Sequence, residues 1–167
     1  GYSIGTDITV STLTTPAITA PAASLKIKPT TDATTAIQLA NSSGTAVLNV
    51  DTTNGNVGIG TTSPTSTIHN AGSIAMPITT KTADYTAGSS DYTILVSCSS
   101  ANITITLPAV ASYVGRIYNI KKIDATGYTV IIDGNSSETI DGALTQTIST
   151  QYETITIQNN GSAWYII

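Results

Sequence analysis

The chain has 167 residues, of which 10% are charged, with a net charge of −4 and a single cysteine. This acidic balance, with Lys121-Lys122 as the only adjacent basic pair, lacks the cationic footprint that nucleic-acid binding needs, and no apolar run reaches the ~20 residues of a membrane helix. Cys98 is alone, so it has no internal disulfide partner and is expected to pack as a small buried hydrophobe.

Residues 1 to about 85 alternate very short apolar pairs with turns. The pairs are Ile8/Val10, Leu25/Ile27, Ile37/Leu39, Leu48/Val50 and Val57/Ile59. Between them lie Pro29-Thr30-Thr31-Asp32, Asn41-Ser42-Ser43-Gly44, Asp51-Thr52-Thr53-Asn54-Gly55 and Thr61-Thr62-Ser63-Pro64. Gly and Asn accept positive φ and Pro blocks ladder extension, so these are strand–turn units. A strand with two inward residues buries too little apolar area to offset backbone ordering of about 1–2 kcal/mol per residue. The ten paired residues are therefore expected to form an assembly core completed by neighbouring copies. The spacing is too irregular for a single-chain solenoid.

Residues 66–85, around His69, form a sparse joint. From residue 86 the strands are denser: Thr93–Ser97, Asn102–Leu107, Ile117–Ile123, Thr129–Ile132, Thr145–Ser149, Glu153–Gln158 and Trp164–Ile167. Alternation sets Ile103, Ile105 and Leu107 on one face, and Ile155 and Ile157 on another. With Trp164 these are the expected core of a terminal knob. Threonine is the commonest residue and Phe is absent, a composition that suits pleated strands rather than helices. The expected fold is all-β: a short-strand fibrous shaft or extended region over residues 1–85, then a compact antiparallel sandwich or barrel-like domain over residues 86–167.

Charge is sparse compared with the roughly 25% of a typical soluble domain. Either a hydroxyl-rich skin faces water, or much surface is buried between subunits, where charge is depleted. Edge strands without Lys or Glu invite pairing and favour the second.

The string Leu48-Asn49-Val50-Asp51-Thr52-Thr53-Asn54-Gly55-Asn56-Val57-Gly58-Ile59-Gly60-Thr61-Thr62-Ser63-Pro64 resembles a segment of bacteriophage tail fibres and related phage-derived proteins. There it precedes a short hydrophobic strand, here Thr67 to Ile74, with Asn70 where an apolar residue is more usual. Residues Ile103 to Pro108, Gly115 to Asp124, Glu138 to Gly142, Gln151 to Ile155 and Gly161 to Ile167 resemble a C-terminal tail-fibre module. The resemblance spans about residues 45–167. It implies a homotrimer with a threaded β-shaft and a terminal β-knob, located on a virion or otherwise extracellular, attaching to a cell surface. The first 45 residues match no such pattern and show no virion-anchoring domain. Gly1 in first position suggests a processed chain or a piece of a longer one.

Candidate chemistry is thin. His69 is the only histidine and has no triad context; with Cys98 it falls short of a zinc ligand set. Asp133, Glu138 and Asp141 are the only acidic cluster, and they bracket a turn. Turn chemistry accounts for them; a weak calcium candidate would combine Asp133, Asn135 and Glu138, and glycan cleavage ranks below that. No enzyme activity and no cofactor are expected. Arg116, Tyr118 and Lys122 share one face of a predicted strand, a possible contact for anionic surface glycan; inter-subunit pairing with Asp124 or Glu153 is the competing reading. Tyr92, Tyr113, Tyr118, Tyr128, Tyr152, Tyr165 and Trp164 are either sugar-stacking faces or interface and core anchors. Asn-x-Ser/Thr sequons at Asn41, Asn102, Asn135 and Asn160 matter only where exported proteins are glycosylated. Three functions follow: a trimeric adhesive fibre, an extracellular filament in which Ile8–Leu13 adds a strand to a neighbour, and a polysaccharide-degrading β-protein. The partners expected are other copies of the chain and a cell-surface glycan.

Overall fold

A computed structural model describes residues 29–167. Ile8, Val10, Leu25, Ile27 and the segment Ile8–Leu13 lie outside the described residues. The chain divides into two units at Ser73/Ile74. That division falls upstream of the expected one near residue 85, because residues 78–86 pair with the later strands.

The first unit holds one sheet: β1 (Ile37–Ala40), β2 (Ala46–Asp51), β3 (Asn56–Ile59) and β4 (Ile68–Asn70), paired in that order. The first two connections are hairpins. In one, Asn41 Oδ1 accepts from the backbone N–H of Ser43 and Thr45, and Gly44 takes φ +81°. In the other, Asp51 accepts from the Asn54 N–H and amide, with Gly55 at φ +71°. The Asn54 side-chain bond leads in holding the Asp51 carboxyl below the usual carboxylate range. β4 then returns parallel to β3. Gly58 lies under that return loop; any Cβ there would collide with the Thr61 carbonyl.

Register sets the faces. Ile37, Val50, Val57 and Ile68 are direct cross-strand partners, and Leu39, Leu48 and Ile59 form the next row. Directly opposed residues share a face, so all six described pair residues plus Ile68 make one apolar surface. Asn70 sits opposite Ile59, and its amide donates to the carbonyls of Gly72 and Ser73. The other face carries Gln38, Asn49, Gly58 and His69 in one row, and Asp51 and Asn56 in the next. Asn49 and Asp51 are buried there, while Leu39, Ile59 and Ile68 are exposed. Around Asn49 and Asp51 polarity is thus inverted relative to a self-sufficient sheet, while Val47 on that same face is exposed.

The second unit is two sheets around one core. One is β13-β12-β9-β7-β5, the other β11-β10-β8-β6, with β5 Ile78–Lys81, β6 Tyr85–Thr86, β7 Thr93–Val96, β8 Ile103–Thr106, β9 Ile117–Lys122, β10 Val130–Asp133, β11 Thr145–Ile148, β12 Thr154–Asn159 and β13 Trp164–Ile166. From β5 to β10 the chain changes sheet at every strand. Neighbours within each sheet are therefore parallel there: β5 with β7, β7 with β9, β6 with β8, β8 with β10. Each crossover is a strand of the opposite sheet, so no helix is needed. β11, β12 and β13 add antiparallel edges. The class is all-β and sandwich-like, with mixed rather than wholly antiparallel pairing.

Ile103, Ile105, Leu107, Ile157 and Trp164 lie in the shared core with Ile94, Val96, Tyr118 and Ile120, and Ile155 packs half-buried against it. Cys98 is buried in the same core, and burial pushes its thiol pKa up, with Asp124 adding to the effect.

Candidate functional site

β9 presents alternate residues inward, and that stretch includes two of the three candidate glycan contacts. Tyr118 and Lys122 are fully buried, so neither reaches a surface ligand. Both lie on the inner face of β9 with Ile120, which corrects the sequence expectation for them. Tyr118 stacks on Trp164 with centroids 5.6 Å apart and donates its hydroxyl to the Gly88 carbonyl at 2.9 Å. Burial pushes its phenol up to about 12. Lys122 Nζ donates to the Asp124 carboxylate and to the carbonyls of Asp124 and Thr126. Asp124 also accepts from the Thr126 hydroxyl and backbone N–H and from the Cys98 N–H. Burial alone raises the Asp124 pKa, but these donors, Lys122 first, outweigh it and hold the carboxyl well below the usual range. The pairing with Asp124 is thus within one chain and is structural.

Glu138 is also spent on structure. Both its carboxylate oxygens accept from the Val110 N–H, at 3.1 and 3.0 Å, at the head of a 3-10 turn, Val110–Ser112. Gly134, between Asp133 and Asn135, packs so tightly under the Glu138 carbonyl that no Cβ fits. Among the described residues no group of three or more His, Cys, Asp or Glu side chains is placed to hold a metal ion. In the weak calcium candidate of Asp133, Asn135 and Glu138, the Glu138 carboxylate already serves as a turn cap. His69 Nδ1 accepts from the Thr65 N–H at 3.3 Å in the first unit's loop.

Arg116 is the glycan candidate that stays partly exposed. It follows a tight turn in which its N–H donates to the Tyr113 carbonyl and Gly115 takes φ +82°. Buried Asn159 braces that turn, donating its amide to the carbonyls of Val110 at 2.7 Å and Tyr113 at 3.1 Å. The Arg116 guanidinium lies 5.7 Å from the Tyr113 ring centroid. Together they line an open cleft of about 510 Å³ with Met76, Tyr92, Ser112 and Ile117. Of these, sequence reading singled out Arg116 and placed both tyrosines among several aromatic candidates. It gave no role to Met76 or to the Asn159 brace, since an Asn-Asn-Gly run reads only as a turn.

No protein-family model matches the chain, and no curated protein matches it.

Proposed function

We propose that the chain is a structural, adhesive subunit of a tail-fibre-like assembly, whose first unit joins copies of itself into a homotrimer and whose second unit is the terminal knob that meets a cell surface. Its place is the exterior of a virion or cell. The observation that carries this reading is the inverted sheet of the first unit. In its Ile37–Val50–Val57–Ile68 and Leu39–Leu48–Ile59 rows, Leu39, Ile59 and Ile68 are exposed and the other four half-buried, while Asn49 and Asp51 are buried behind them. A continuous apolar face of this kind calls for covering, and closed rotational symmetry brings identical faces together on one axis. The low charge content is in keeping with subunit contact.

The test is the mass of the intact chain in solution, by native mass spectrometry and sedimentation. Three copies are expected. An open-ended series of masses would favour the filament built by strand exchange, and a monomer at micromolar concentration would defeat the reading.

A further inference from the structure

We propose that the cleft at the head of β9 binds a carboxylated sugar, of the uronic- or sialic-acid class, through Arg116 and the rings of Tyr113 and Tyr92. The idea deepens the adhesive reading and rests on it for the source of the sugar.

The first argument is the state of the cation. Four cationic side chains belong to the described residues: Lys81, Arg116, Lys121 and Lys122. Lys122 is paired with Asp124. Lys121 donates to the Tyr152 carbonyl and the Thr154 hydroxyl. Lys81 lies 3.5 Å from the centroid of the Tyr85 ring, stacked face-on. Arg116 alone combines a looser ring contact with a position on a cleft of ligand size. Among the described residues its guanidinium meets no carboxylate, although acidic residues outnumber basic ones ten to six in the whole chain. A guanidinium offers two parallel N–H donors that match a carboxylate, and stacking on an aromatic ring orients that fork.

The second argument is the lining. The cleft volume falls within the range of small-molecule sites, about 300–1,000 Å³. Tyrosine rings give a sugar a flat apolar partner with a wet hydroxyl rim. Ser112 adds a hydroxyl. The third argument is rigidity. The loop is held from behind by Asn159 and from its start by Glu138, so the site does not have to be ordered when the ligand arrives.

The experiment titrates the full-length assembly by calorimetry with trigalacturonate and sialyllactose, and with their neutral counterparts galactotriose and lactose. At least one acidic sugar is expected to bind with a millimolar or tighter dissociation constant, at least about tenfold tighter than its neutral counterpart. Arg116→Gln is expected to abolish that preference with thermal midpoint and assembly mass unchanged, and Tyr113→Ala to weaken acidic and neutral sugars alike. Binding of neither acid, equal binding of neutral sugar, or equal binding of a short poly-glutamate peptide would overturn the proposal. So would an Arg116→Gln chain whose assembly mass falls, since the cleft would then be a contact between copies. The two readings fail separately: a monomeric chain with acid-selective binding sinks the assembly and keeps the cleft, and a trimer without it does the reverse.

Discussion

Leu39→Asp probes the proposed assembly face at a position that matters little to the lone chain. Leu39, Ile59 and Ile68 are 61%, 43% and 71% exposed. Full burial of such a side chain stabilises by about 1.5–3 kcal/mol, so covering what remains open on these three is worth about 3–5 kcal/mol per chain and about 8–16 kcal/mol for three chains. Joining three chains takes two associations at about 4–15 kcal/mol each, about 8–30 kcal/mol in all, so these three residues offset only the low end and the half-buried residues of the same face must supply the rest. Losing the Leu39 share removes about 1–2 kcal/mol per chain. Three carboxylates brought together near an axis add desolvation and repulsion on top. The trimerisation constant should therefore fall at least about a hundredfold. Within one chain the substitution gives up only the minor, already covered part of Leu39, so the β1–β2 hairpin should persist. Gln38→Asp is the control: it adds the same charge one residue away, on the opposite face. Sedimentation velocity across a concentration series reads both variants. Equal loss of mass in both, or wild-type mass in Leu39→Asp at every concentration, would refute the reasoning.

Lys122→Met should destabilise the second unit by at most about 3–5 kcal/mol in urea unfolding, because the half-buried Asp124 loses its main partner, and adding Asp124→Asn should recover more than half; a cost under about 1 kcal/mol would count against a stabilising ion pair. The carboxyls of Asp124 and Asp51 are both depressed in the folded chain. Their stabilisation is complete above the ordinary carboxylate pKa of about 4 and is lost as pH falls through the depressed folded value. Melting temperature followed against pH should therefore drop below about pH 4, and Asp124→Asn should flatten that drop. Gly58→Ala should cost about 1–3 kcal/mol by forcing the Thr61 carbonyl away, visible as lost amide protection in β3 and β4; wild-type protection there would mean that the return loop yields freely.

Much of the strand layout was legible in residue pattern. Leu48/Val50 and Val57/Ile59 alternate, and the Asn41–Gly44 and Asp51–Gly55 turns between them carry their own hydrogen-bonding side chains, so two hairpins follow from local chemistry alone. The later strands Thr93–Val96, Ile117–Lys122 and Thr145–Ile148 announce themselves by β-branched runs between turns. What local pattern does not encode is who pairs with whom. Parallel neighbours are usually betrayed by a helix between strands. Here the crossover is another strand, so β5 to β10 looked like successive hairpins. β5 and β6 were missed outright because Ile78-Thr79-Thr80-Lys81 and a two-residue Tyr85-Thr86 show no alternation. The same limit explains Tyr118 and Lys122. A period of two correctly grouped them on one face, but it does not say which face is inside, and a lysine suggested water. Ile120 between them was the clue, and Asp124, two residues on, was the partner that made burial tolerable. The cleft was legible only as separate parts, since Met76, Tyr92 and Tyr113 converge through tertiary packing.

The two ends of the wound unit are unlike. On one side β11 and the β12–β13 hairpin double back and finish both sheets, while on the other β5 and β6 form the outer strand of each among the described residues. An extra coil introduced ahead of Ile78 would find hydrogen-bonding partners for both of its strands already waiting, with no change to the layers beyond. Such a body grows by insertion from one side only, and because Met76 lines the cleft just ahead of β5, an added coil would also reshape the mouth of the proposed sugar site.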